Sequence, residues 1–152
     1  MKLHATFLFL HLLAVTIWVG GIFFSHVCLR PAAMEALEPP QRLALWQSIF
    51  VRFFRWVTIA ILVILLSGFG MFFHSGSSPL PGAWHAMAAT GLLMTAIFVS
   101  VLIGPYRQFH QAMAAGDMTA AAAAQGRIRP RIFINLLLGI ATLAIATLSL
   151  AF

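Results

Sequence analysis

The residues of this sequence that could do chemistry are six histidines, at positions 4, 11, 26, 74, 85 and 110. There are only three acidic residues, Glu35, Glu38 and Asp117, so no pair of carboxylates is available for general acid and base work. No Ser-His-Asp set, Gly-rich phosphate loop or Cys-His nucleophile is present. The single cysteine, Cys28, provides neither an intrachain disulfide nor a Cys-rich metal site. Imidazole without an acidic partner still suits two ligand chemistries. It is a good axial ligand for haem iron, and together with thioether sulfur it suits monovalent copper. The haem reading takes His11 as first ligand and His85 or His74 as second, with Trp18 and Gly21 shaping the cleft and His26 and His110 serving a second haem. The copper reading takes His4, His11, His74 and His85, with Met71 three residues before His74 and on the same helical face.

The elements that must position these side chains follow from composition. Hydrophobic residues are 62% of the 152 and charged residues 8%, against about 25% charged in a soluble domain. Such a chain cannot cover its own surface for water, which excludes a soluble enzyme, a disordered tail and a nucleic-acid-binding module. A bilayer core takes about 20 apolar residues per helix. Leu3 to Leu29 and Trp56 to Tyr106 contain no Asp, Glu, Lys or Arg, and Ile132 to Phe152 is a further apolar run. The second stretch is divided by His74-Ser75-Gly76-Ser77-Ser78-Pro79-Leu80-Pro81-Gly82, which is turn chemistry. The expectation is an all-α, four-transmembrane-helix bundle forming one integral membrane domain over 1–152, with helices at about 3–29, 50–74, 83–110 and 130–152. Lys2 and the run after it are read as a retained helix, because a cleaved signal has an apolar core of only about 7–15 residues. Gln41 to Phe50 reads as a helix entering the second span from the interface. Asp117 is placed to cap a short helix through Ala120–Ala124. Pro105, after Gly104, is expected to kink or end the third helix.

Charge sets the orientation. Eight of nine basic residues fall in two loops, Arg30, Arg42, Arg52 and Arg55 in one and Arg107, Arg127, Arg129 and Arg131 in the other. The positive-inside rule puts both loops in the cytoplasm and both termini outside, an N-out/C-out bundle of a bacterial inner membrane. The net charge of +6 is therefore an orientation signal and a means of contacting anionic lipid. In this frame His4, His11, His74 and His85 lie in the outer half. His11 sits about 12 Å below the start of its span and on one face with His4. Histidines inside a span mark functional sites by default.

At the first helix the residues become more specific. His11-Leu-Leu-Ala-Val-Thr-Ile-Trp18-Val-Gly20-Gly21, followed by Arg30-Pro31, resembles the first-helix signature of the CopD-like membrane family. That family includes the copper-resistance protein D domain and is distantly similar to the HemJ-type protoporphyrinogen oxidases. The resemblance continues through Arg55-Trp56 to Ser67-Gly68 and Gly104-Pro105-Tyr106-Arg107. It implies a b-type haem or a copper function in the bundle, with His11 as the ligand. HemJ-type members carry a His-x-Lys motif in the third helix. Here His85-Ala86-Met87 stands in that region and the sole lysine is Lys2, which argues against protoporphyrinogen oxidase activity. The leading expectation is haem b held between helices by His11, in a membrane oxidoreductase exchanging electrons with a quinol or a periplasmic partner. The alternative is a copper-binding or copper-transport protein. A homodimer would cover a cofactor edge left facing lipid.

Overall fold

The computed structural model describes residues 2–74 and 82–148. Four helices account for almost all of them: α1 over Lys2–Ala36, α2 over Pro39–His74, α3 over Gly82–Ala114 and α4 over Met118–Leu148. All four are long and apolar enough to cross a membrane, and among the described residues there is no strand. At a rise of about 1.5 Å per residue α2 is roughly 54 Å long, well beyond the ~30 Å hydrocarbon core, so it continues past the bilayer.

Two elements start earlier than the composition predicts. α2 begins at Pro39 rather than near 50, and α4 at Met118 rather than near 130. Charge density marks where a helix leaves lipid, not where it stops. The amphipathic segment from Gln41 and the alanine run from Ala120 are therefore continuous with the spans they precede. Helix-terminal chemistry sets the true ends. Leu37 is extended, with φ −127° and ψ 142°. Pro39 opens α2 where its missing N–H costs nothing, and Gln41 Oε1 accepts the Glu38 N–H at 3.0 Å. Between α3 and α4 the chain turns at Gly116, whose φ of +72° is left-handed. Asp117 N–H donates to Ala112 O at 3.0 Å and Gly116 N–H to Met113 O at 3.2 Å, closing the α3 terminus as a Schellman turn. Asp117 Oδ1 then accepts the Ala120 N–H at 2.9 Å, the capping role its sequence position implies.

Pro105 does not end α3. Residues Leu102–Tyr106 form one π-turn and the helix continues to Ala114. α1 has two such turns, Thr16–Gly20 and Ser25–Leu29. Pro130 lies within α4, which continues through it.

α1 packs against α2 and α3 against α4, and α4 joins the two pairs. The best-buried residues gather toward the arginine-rich end. Trp46, Phe50, Phe54, Phe98 and Phe109 form an aromatic column, with Phe50 and Phe54 stacked at 5.1 Å and Phe54 edge-on to Tyr106 at 4.9 Å. Each such pair adds about 0.5–1.5 kcal/mol beyond area burial. At the opposite end α1 is mostly exposed, and Ala14 is its first buried residue.

Candidate functional site

His11 lies half-buried in the seam between α1 and α2. Its Nδ1 is 3.0 Å from Ser67 Oγ. Ser67 is 2% exposed, and its hydroxyl approaches Val63 O at 2.5 Å and Ile64 O at 3.2 Å. A hydroxyl has one proton to give, and a carbonyl at 2.5 Å claims it. With its proton directed to Val63 O, Ser67 Oγ is left to accept from a His11 Nδ1–H, and in that tautomer the lone pair is on Nε2. This is the arrangement that prepares a histidine for a metal: one nitrogen anchored through its N–H, the other free to donate.

Two features of α2 support the seam. Gly70 lets the Phe7 ring lie against the backbone, since a Cβ there would stand 2.9 Å from Phe7 Cε2. Met71, one helical turn beyond Ser67, shares its face and is 9% exposed.

The other residues named from sequence are more scattered. His4 and His85 are exposed. The His74 side chain lies outside the described residues. Among those described, no three His, Cys, Asp or Glu side chains gather into a metal-holding group. His26 stacks on Phe133 at 5.0 Å and 25°, and exposed His110 meets the Tyr106 ring edge-on at 6.4 Å.

Trp18 and Gly21 both lie against aromatic rings of neighbouring helices. Trp18 is 3% exposed and edge-on to Phe98 at 6.3 Å, while Gly21 is covered by the Phe53 ring. Farther along the interior, a Cβ on Gly139 would meet Val19 Cγ2 at 2.7 Å. Side chains of neighbouring helices fill the space at Gly21 and Gly139, whereas a Cβ at Gly20 or Gly91 would meet nothing within 4 Å.

Two polar residues matter that the histidine-centred reading passed over. Ser67 entered it only as part of a family stretch, and Asn135 not at all. Asn135 is 2% exposed and its Nδ2 donates to Met94 O at 3.1 Å, while its Oδ1 has no partner. Trp18 Nε1 is likewise buried and unpartnered. The available signal was a polar side chain inside an apolar span, which is costly to place there.

A family model described as Copper resistance protein D matches residues 47–149. The match covers most of α2 together with α3 and α4 and leaves His11 outside it. No curated protein and no solved structure gives a significant match.

Proposed function

This chain belongs to the CopD family, copper resistance protein D, a family of multi-pass membrane proteins, and on that premise we propose that it takes monovalent copper as its substrate at the His11 seam. The observation that carries the reading is the Ser67 hydroxyl, which holds the imidazole through Nδ1 and leaves Nε2 as a donor. Met71 supplies a soft thioether on the same face of α2. The three acidic residues lie at 35, 38 and 117, near the arginine-rich helix ends. Neutral imidazole and thioether ligands suit a soft, singly charged ion better than a hard divalent one.

The charge distribution supports a direction. Eight arginines crowd one end and repel a cation, so copper enters from the opposite end, where His4 and His11 lie on one face of α1. By the positive-inside rule that end is periplasmic and the membrane is the bacterial inner membrane.

The test is competition for cuprous ion between the detergent-purified protein and a chromogenic chelator. Wild type is expected to bind copper, and His11→Ala to lose that binding. Unchanged affinity in His11→Ala would refute the assignment. A reduced-minus-oxidised spectrum of protein made with ample haem tests the competing use of the same nitrogen. Soret and α bands that vanish in His11→Ala would replace copper by haem b and point to electron exchange with a quinol or periplasmic partner.

A further inference from the structure

A second constellation lies far from His11, where α1, α2 and α4 meet near the arginine-rich end. From His11 to His26 is about 22 Å along the helix. A cavity of about 30 Å³ is lined there by Ser25, His26, Arg30, Trp46, Gln125 and Arg129, among others. The π-turn Ser25–Leu29 widens α1 at this level, a distortion that recurs at functional sites.

The electrostatics of the cavity are one-sided. Arg30 Nε is buried and has no hydrogen-bond partner. Arg129 spends one Nη2 donor on Gln125 Oε1 at 3.1 Å, and that Gln125 is 5% exposed. The Arg129 charge also feels those of Arg30 and Arg42, and His26 feels Arg30 and Arg129. Among the described residues no ion pair joins any of these arginines to a carboxylate. A guanidinium carries five N–H donors, so converging guanidiniums without an anion leave both charge and donors unmatched.

The depth of the cavity indicates where the anion comes from. α2 is free of charge from Trp56 to His74, a length of about 28 Å that matches the hydrocarbon core. Gly21 of α1 lies against Phe53 of α2, so His26 and Arg30 stand just beyond the apolar zone, at headgroup level. Trp46, Phe50 and Ile132 supply apolar walls.

We propose that Arg30, Arg129 and His26 form a phosphate-binding site at the arginine-rich membrane surface, occupied by the phosphate of an anionic phospholipid or by soluble phosphate. Guanidinium groups bind phosphate oxygens through charge-assisted, often bidentate hydrogen bonds, and the unpartnered Arg30 Nε is one such donor. The site is independent of copper, and a chain that fails to bind copper at His11 would still contain it.

The experiment measures retention of phosphatidylglycerol against phosphatidylcholine by native mass spectrometry of the full chain, released from mixed vesicles. Inorganic phosphate is titrated separately in neutral detergent, with thermal stability as the readout. Wild type is expected to prefer phosphatidylglycerol by at least about tenfold, on the basis of about fivefold per basic side chain near the surface. Arg30→Gln/Arg129→Gln should lose that preference, and Arg30→Lys/Arg129→Lys should keep part of it. Arg52→Gln/Arg55→Gln removes the same charge from exposed α2 positions outside the cavity lining and should leave the preference largely intact. Phosphate stabilisation that competes with lipid would identify the soluble anion as the occupant, and lipid preference without it would identify the headgroup. Equal losses in the two Gln variants, or no preference and no phosphate response in wild type, would overturn the site.

Discussion

Ser67→Ala separates the ligand-holding role of the seam from its structural role. The substitution removes one interhelical hydrogen bond, His11 Nδ1–H to Ser67 Oγ at 3.0 Å. It also removes the hydroxyl's bond to Val63 O, a carbonyl that already receives the ordinary i to i−4 backbone bond of the helix. The volume change is one oxygen. Interhelical hydrogen bonds in membranes average about 0.6 kcal/mol, so thermal stability in detergent should fall by no more than about 1 kcal/mol. Copper affinity should fall much further. Without Ser67 Oγ the ring keeps only the Ile64 carbonyl to orient it, and losing such an outer partner typically costs about 10–100-fold in metal affinity. That corresponds to about 1.4–2.7 kcal/mol. Cuprous titration against a chelator and thermal unfolding, run on the same preparation, measure the two quantities. The reasoning fails if Ser67→Ala binds copper like wild type while His11→Ala does not. It also fails if affinity and stability fall by the same free energy, since Ser67 would then be acting through the fold alone.

Three further outcomes follow from the packing and the charge distribution. Gly139→Ala places a Cβ 2.7 Å from Val19 Cγ2 and 3.3 Å from Met94 Cε; overpacking of this kind costs about 1–3 kcal/mol, and Val19→Ala in the same chain should restore most of the loss in a thermal melt. Phe54→Ala removes a ring that contacts Phe50, Phe98 and Tyr106 and is 3% exposed; a loss of about 3–5 kcal/mol is expected, and a melt unchanged within 1 kcal/mol would show that the column does not hold the helices together. Cys28 is exposed near the arginine-rich end of α1; a membrane-impermeant maleimide should label it in inside-out vesicles and not in intact spheroplasts, and the reverse pattern would invert the proposed orientation.

The four helices were legible because their cause is local. An apolar run of about 20 residues without charge has one stable solution in lipid, since every backbone group must be satisfied within the segment. The loop after Ala114 was similarly legible at Asp117, a cap whose bond to Ala120 N–H involves only neighbours in sequence. The spans were placed to start near 50 and 130, with Gln41–Phe50 read as a helix leading into the second span and Ala120–Ala124 as a short helix of its own; both are continuous with α2 and α4. His11 stood out as an ionisable group inside a span, and the sequence alone could rank it above the other five histidines by depth.

What a histidine does depends on atoms that are remote in sequence. Ser67 is 56 residues from His11, and its hydroxyl is the hydrogen-bond partner of the ring's Nδ1. No periodicity encodes that contact, because either helix can present its face to several neighbours. The same holds for Gly21, which reads as shaping a cofactor cleft and is covered by Phe53. It holds equally for Arg30 and Arg129, which in sequence are topology markers in separate loops and in the fold line one cavity. Hydropathy and charge act on each segment against a common solvent, so the sequence by itself determined the spans and their class. Hydrogen bonding between helices, close packing and charge convergence act between segments, so only the tertiary structure decided the partner of His11, the cover over Gly21 and the meeting of the arginines.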